Sequence, residues 1–255
     1  MQDHQHASAS TVPNTPVQGD ATVESKLAIV IPTLHEAENI RELLNRISQS
    51  LSTLKLPYEC LVVDDDSRDG IEAIVQELSD RDARIRMVVR KNQRSLAGAI
   101  LYGWRNTDAE ILGVMDADLQ HPPELLPQLR QALLDGADIA VASRWTQQGG
   151  WSRGSRARHW ISRLANAMTW PLQKPEIRVA DPMSGFFLVR RSCIENIQFQ
   201  TQGFKLLLEI LVRGRVHSVK EVPFSFGRRR AGRSKASLHV AWQYLRLLAR
   251  LWKNK

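Results

Sequence analysis

Five short, largely apolar runs, at residues 27–31, 60–63, 85–89, 111–115 and 139–142, alternate with segments whose apolar residues recur at helical spacing. This alternation constrains the fold more than any other feature of the chain. Runs of four or five apolar residues are too short for helices and read as buried strands. Pro32 closes the first run, and acidic turn residues close the second and the fourth. Between the strands, Ile40, Leu43, Leu44, Ile47, Leu51 and Leu54 predict a helix over 38–54, with further helices expected over 71–78 and 96–104. Pro122 and Pro123 suit the first turn of a fourth helix. Strands alternating with helices predict a parallel α/β sheet, in which ligands gather beyond the carboxyl ends of the strands. The residues that end the apolar runs are therefore the first candidates for chemistry.

The second half is less regular. Residues 145–156 read as a loop rich in Gly, Arg, Trp and Gln, followed by a helix over 158–170. Strands are expected over 185–189 and 216–226, around a helix over 204–212. Residues 1–25 carry too few large apolar groups to offset chain entropy and read as a disordered tail, with His4 and His6 solvated rather than metal-binding. No stretch has the pattern of a signal peptide or the roughly 18 apolar residues of a membrane span. A cytoplasmic location with peripheral membrane attachment is the expectation. Cys60 and Cys193 lie far apart in apolar runs and read as buried free thiols.

The formal charge is +8, and from Gly203 onward 13 Lys and Arg face only Glu209 and Glu221. Such an excess speaks of partners: nucleic acid, an anionic membrane face or phosphorylated substrates. The run from Arg228 to Lys235, flanked and interrupted by Gly227 and Gly232, reads as a phosphate-binding lid, a contact for nucleic acid or anionic lipid, or a solvated loop. Further on, Leu238, Ala241, Trp242, Leu245, Leu248, Ala249 and Trp252 share helical spacing, with Arg246, Arg250 and Lys253 on other faces. This amphipathic C-terminal helix (237–255) fits a membrane interface, and it equally fits docking on the core.

The fourth apolar run ends in Met-Asp-Ala-Asp-Leu-Gln-His at 115–121. In an extended chain Asp116 and Asp118 point to the same side, where they repel unless a cation joins them. Hard oxygen ligands suit Mg2+ or Mn2+. A solvated acidic turn is the plainer alternative. The second run ends in Asp64, Asp65, Asp66, Ser67, Arg68, Asp69 and Gly70, which read either as acceptors for a base or ribose or as a turn and helix cap.

Together, residues 30–36 (Val-Ile-Pro-Thr-Leu-His-Glu), 63–70 and 115–124 resemble, in order and spacing, the inverting family 2 glycosyltransferases. Residues 181–186 (Asp-Pro-Met-Ser-Gly-Phe), 203–209 (Gly-Phe-Lys-Leu-Leu-Leu-Glu) and 226–235 are similar to its dolichyl- or polyprenyl-phosphate mannosyltransferase branch. The resemblance runs from Leu27 to Lys235. It implies a GT-A type, Rossmann-like mixed sheet flanked by helices, as one catalytic domain over 26–236. It also implies that Pro32, Glu36, Asp64, Asp65, Asp116, Arg229 and Lys235 meet the nucleotide-sugar donor. Asp116, Asp118 and Gln120 match the metal-binding segment, and Arg144, Arg158 and Ser162 match positions that hold the acceptor phosphate. Asp116, Asp118, Arg144, Arg158 and Ser162 would thus carry catalysis. The sequence departs from the family pattern at His35 (usually Asn), Asp66 (often Gly), Ile71 (usually Thr), Ser95 (usually Gly) and Phe187 (often Arg).

The implied reaction moves mannose from GDP-mannose to a polyprenyl phosphate with inversion. The partners are the donor, the lipid phosphate, a membrane surface and a possible membrane protein, with no nucleic acid. A polyprenyl-phosphate glucosyltransferase using UDP-glucose is the alternative within the same chemistry. A basic, non-catalytic module for membrane or nucleic acid is the alternative outside it, and it leaves the acidic strand ends unexplained.

Overall fold

Every residue of the first apolar run is buried, and the strand it forms, β1 (Leu27–Thr33), continues through Pro32. The structure, a computed structural model, describes residues 25–54, 56–145, 150–151, 165–200, 205–226 and 238–253, by backbone alone at 150–151, 226 and 238–245. Proline in a central strand normally removes a ladder hydrogen bond. Here the pairing of β1 with its neighbour β4 (Ile111–Val114) ends at Val30 and Val114, so Pro32 stands beyond that ladder, at the mouth of the sheet.

The remaining strands are β2 (Tyr58–Asp64), β3 (Ile85–Val89), β5 (Ile139–Ser143), β7 (Phe187–Arg190) and β8 (Val219–Pro223), in the order β3-β2-β1-β4-β7-β5-β8. Two short strands, β6 (Gly150–Trp151) and β9 (Ser225–Phe226), pair separately. Strands β1 to β5 all run in one direction, as the alternation in the first half predicts. Strand β7 runs antiparallel to both β4 and β5, and the sheet is mixed, as the family resemblance implies. Its position is set by a long-range pairing with strands far away in sequence, which apolar periodicity does not encode.

Alternation of side chains builds two cores, one on each face of the sheet. Leu27, Ile29, Ile31, Cys60 and Val62 face α1 (Ala37–Ser52), α2 (Ile71–Arg81) and α4 (Leu126–Leu134). Ala28, Val30, Leu61, Val63 and Phe187 face α3 (Leu96–Arg105) and α5 (Leu206–Arg213). On α1 the buried residues Ile40, Leu43, Leu44, Ile47 and Leu51 form one stripe, each contributing about 1.5–3 kcal/mol by burial. Gly103 lets α3 lie directly on β1, since a Cβ there would stand 2.6 Å from a methyl of Val30. Both cysteines are buried free thiols, as expected.

The last helix, α6 (Leu238–Lys253), buries Leu247, Leu248 and Leu251 against Leu172 and Leu208, so the part of it described by side chains docks on the core. Trp252 is exposed. Among the described residues no helix is long and apolar enough to cross a membrane. The 1–24 part of the expected tail, most of the 145–156 loop, the start of the helix at 158 and the run 228–235 lie outside the described residues.

Candidate active site

Strand order reverses between β1 and β4: the chain proceeds from β1 through β2 to β3 on one side, then crosses to β4 on the other. That is the switch point at which open α/β sheets bind ligands. The loops after β1, β2, β4 and β5 all leave from this edge, and antiparallel β7 enters the sheet from it.

After β2, Asp64 is wholly buried and committed to its own loop. Its carboxylate accepts hydrogen bonds from Thr33 Oγ1 (2.8 Å), the Ser67 backbone N–H (2.7 Å) and Ser67 Oγ. The Ser67 hydroxyl in turn accepts from the His35 N–H at 2.9 Å, which ties the β1 loop to the β2 loop. Asp69 caps two helices, taking the Ala37 N–H at 3.1 Å and the Ile71 N–H at 3.2 Å. Glu36 accepts from Asn39 Nδ2 at 2.8 Å and remains partly open. Asp64 thus holds the loop that presents its neighbour.

That neighbour, Asp65, is buried with an unusual surround. Its Oδ2 accepts from the Ser95 N–H at 2.8 Å, while Oδ1 lies 3.4 Å from Arg90 Nη1 and receives no hydrogen bond among the described residues. Burial raises its pKa against the opposing pull of the Ser95 amide and Arg90. Arg90 is itself buried and braced by Gln93 Oε1 at 2.8 Å and the Ser95 carbonyl at 3.3 Å. The motifs did not single out Arg90, although an arginine directly after an apolar strand is a signal of an internal partner.

After β4 the chain turns sharply. Leu119, between Asp118 and Gln120, has φ 59°, in the left-handed region where a branched side chain is strained. Asp118 is almost completely buried and accepts the Gln120 N–H at 3.1 Å. Asp116 is about a third exposed and lies 3.8 Å from His121 Nδ1. That contact is not an ion pair. Burial, with the Arg144 charge adding to it, pushes the His121 pKa down to about 3, so the ring is neutral and packs between Phe186 and Phe224. The imidazole pins the acidic turn to the core.

The donor set of Asp116, Asp118 and Gln120 is all oxygen, two carboxylates and an amide carbonyl, which suits a hard divalent ion. Among the described residues no three His, Cys, Asp or Glu side chains gather around a cation position. An ion here would therefore complete its shell with substrate phosphate and water, as Mg2+ commonly does.

The loop into β7 closes the other side. A Cβ on Gly185 would overlap the Asp116 carboxylate, standing 2.9 Å from its Cγ. Gly185→Ala is expected to displace Asp116 and lower activity by about 10- to 100-fold, since a displacement near 1 Å costs this much. Turnover together with a thermal melt checks it, and an unshifted melt with full activity would show that Asp116 tolerates the shift. Asp181, wholly buried, holds Arg144 through a two-pronged pair, Nε to Oδ2 at 2.7 Å and Nη2 to Oδ1 at 2.8 Å. Glu221 on β8 fixes this loop by accepting the Ala180 N–H (2.9 Å) and the Asp181 N–H (3.2 Å).

The structure brings Pro32, Glu36, Asp64, Asp65, Asp116, Asp118, Gln120 and Arg144 to one edge of the sheet. Arg158, Ser162, Arg229 and Lys235 lie outside the described residues. The departures from the family pattern have structural explanations. His35 (φ 62°) and Asp66 (φ 57°) occupy left-handed positions, which Asn and Gly reach most readily, so these sites govern turn geometry. Ile71 fills the core, Phe187 meets Trp104 edge-on at 6.3 Å, and the Ser95 hydroxyl caps α3 by accepting the Gly98 N–H at 3.1 Å.

A mixed Rossmann-like sheet with an Asp-x-Asp turn at its switch point defines a GT-A type glycosyltransferase. The chain belongs to glycosyl transferase family 2, whose model matches residues 28–198. Among characterised relatives it is 40% identical over 229 residues to the dolichol-phosphate mannosyltransferase of Pyrococcus furiosus, covering 89% of this chain and 64% of that one. It thus spans slightly under two thirds of the archaeal protein's length. It is 36% identical over 239 residues to the dolichol-phosphate mannosyltransferase of Saccharomyces cerevisiae, covering 89% of this chain and 87% of the yeast protein. In fold it matches glucosyl-3-phosphoglycerate synthase from Mycobacterium tuberculosis, solved with Mn2+ and UDP-glucose, with a TM-score of 0.65 at 18% identity over 94% of this chain and 84% of that one.

Proposed function

We propose that the enzyme transfers mannose from GDP-mannose to a polyprenyl phosphate at a membrane surface, inverting the anomeric centre. One observation carries this reading: the nucleoside-side acidic loops, the Asp116–Asp118 turn and the Arg144–Asp181 pair follow one another along a single edge of the sheet. The names of the relatives support the choice of sugar and acceptor.

Asp65 and Glu36 take the nucleoside. Asp65 Oδ1 is a buried acceptor awaiting a donor, and a base N–H or a ribose hydroxyl supplies one. Asp64 keeps the loop in place. Asp116, Asp118 and Gln120 would hold Mg2+ or Mn2+, which supplies charge neutralisation for the departing diphosphate. Arg229 and Lys235 are assigned to the same diphosphate, and Arg144, Arg158 and Ser162 to the acceptor phosphate. A phosphate monoester is largely dianionic at neutral pH and needs no protein base to make it nucleophilic. One of its oxygens bonds to the anomeric carbon as the bond from that carbon to GDP breaks, and GDP leaves with the electron pair. Attack opposite the leaving group turns an α-linked donor into a β-linked product. The protein's task is to place two anions in line, for which planar guanidinium groups are suited.

The test is transfer to a short polyprenyl phosphate from GDP-mannose or UDP-glucose, with Mn2+ and with chelator. Turnover with GDP-mannose that chelator abolishes is the expected result. Turnover with UDP-glucose alone would replace the sugar, and transfer from neither donor would overturn the reading. Full activity in chelator would remove the ion from it. At the membrane, α6 contributes its exposed Trp252 beside Arg250 and Lys253, a composition suited to an anionic interface.

A further inference from the structure

We propose, resting on the function above, that Arg90 is a positioning residue for the donor: it acts through Asp65, fixing that carboxylate as the acceptor for the nucleoside. Arg90 stands one residue beyond β3, and its N–H donates to the Asp64 carbonyl at 2.7 Å. The pairing of β2 with β3 thereby carries it to the mouth of the sheet, beside Asp65. Lys91 and Arg94, its basic neighbours in the chain, are exposed, whereas Arg90 is buried. A buried guanidinium is costly unless an anion compensates it, and among the described residues the carboxylate within 4 Å is that of Asp65. The contact has an unusual form. Arg144 and Asp181 form a two-pronged pair that engages both carboxylate oxygens, but Arg90 Nη1 stands 3.4 Å from Asp65 Oδ1 without a hydrogen bond. Arg90 thus supplies charge to Asp65 and leaves the lone pairs of Oδ1 to the N–H or O–H of a ligand.

The surroundings hold Arg90 in this place. Gln93 Oε1 accepts from Nη2 at 2.8 Å, and the Ser95 carbonyl accepts from Nη1 at 3.3 Å. The Ser95 N–H bonds Asp65 Oδ2 at 2.8 Å, so one residue grips both members of the pair through its two backbone groups. The guanidinium also lies directly on the first turn of α3, since a Cβ on Gly98 would stand 2.9 Å from Arg90 Nη2. The charged groups that act on Asp65 are Arg90, Asp64 at the end of β2 and Arg94 in the loop before α3. Burial raises the Asp65 pKa; the Ser95 amide and Arg90 pull it down, Asp64 raises it, and Arg94 lowers it. A donating base N–H or ribose hydroxyl binds the ionised carboxylate best, and that form is lost as pH falls through the pKa. Removing Arg90 lets the pKa rise further, so the loss moves to higher pH.

Calorimetric binding of GDP to the full chain between about pH 5.5 and pH 8, with steady-state kinetics beside it, tests the assignment. For Arg90→Met the GDP Kd, as a ratio to the parent's, is expected to grow about 10-fold from about pH 8 to pH 5.5, because a facing charge moves a carboxylate pKa by about 1–3. Titration of GDP itself is common to both chains and drops out of the ratio. Arg90→Lys keeps the positive charge and should hold the ratio nearly level. The KM for farnesyl phosphate should change less than about twofold in either variant. A ratio that does not vary with pH in Arg90→Met, or an equal rise in the KM of both substrates, would overturn the proposal and leave Arg90 a packing residue. Should Arg90→Met fail to fold, Gly98→Ala displaces the guanidinium while keeping it in the chain. A smaller growth of the ratio at low pH is then expected, and a level ratio refutes the proposal. Binding of GDP without transfer from GDP-mannose would remove the functional reading and leave the pair to be judged by the ratio alone. If the parent binds UDP instead of GDP, the same ratio read with UDP decides, and binding of neither overturns both readings.

Discussion

Asp118→Ala is expected to lower sugar transfer by about 10^3-fold or more while the chain stays folded. Asp118 is buried at the turn after β4, where a carboxylate is costly unless it serves a ligand or a partner. The bond it accepts from the Gln120 N–H within the turn contributes about 1 kcal/mol. The strained Leu119 beside it costs a similar amount, and strain of this kind persists where the geometry serves a site. The variant should therefore melt within a few degrees of the parent while turnover disappears. Single-turnover rates and a thermal melt, with and without Mn2+, separate the two effects. Parent-like turnover of the variant in chelator would remove the metal role from this residue. A collapse in stability would make Asp118 a structural acceptor instead.

Asp181→Ala should have the largest effect on stability. It removes the partner of Arg144 from a wholly buried position and leaves the guanidinium without its counterion. Breaking one side of a buried ion pair costs about 3–5 kcal/mol, which for a chain of this size lowers the melting temperature on the order of 10 °C. Activity should fall as well, because Arg144 loses the two-pronged pair with Asp181 that helps orient it. The double variant Asp181→Ala, Arg144→Met removes the stranded charge and should regain much of the stability without regaining transfer. Denaturant melts of the single and double variants make the comparison. A single variant within about 1 kcal/mol of the parent would show that solvent or a neighbouring group compensates Arg144.

Much of the fold was legible because the first half of the chain reports burial locally. The stripe from Ile40 to Leu51 and the apolar runs at 27–31 and 60–63 appear as α1, β1 and β2 with shifts of a few residues at their ends. The candidate site was legible where acidic residues close apolar strands, as at Asp64, Asp65, Asp116 and Asp118. Residues whose role depends on a distant partner were not. Glu221 and Arg90 are ordinary charged residues in sequence, and Asp181 opens a motif that assigns it no role; the three acquire a purpose only through the Ala180 and Asp181 amides, Asp65 and Arg144.

The amino-acid order alone determined which segments become strands and helices, and which carboxylates end the strands. Side-chain periodicity and turn chemistry act over a few residues, and they are written in consecutive positions. Only the tertiary structure decided that β7 enters antiparallel between β4 and β5, that Asp64 serves its own loop while Asp65 keeps a buried oxygen without a hydrogen bond among the described residues, and that α6 docks Leu247, Leu248 and Leu251 on the core. These outcomes depend on pairing and burial between residues tens of positions apart. There the free energy of one contact is set by every other element that packs around it.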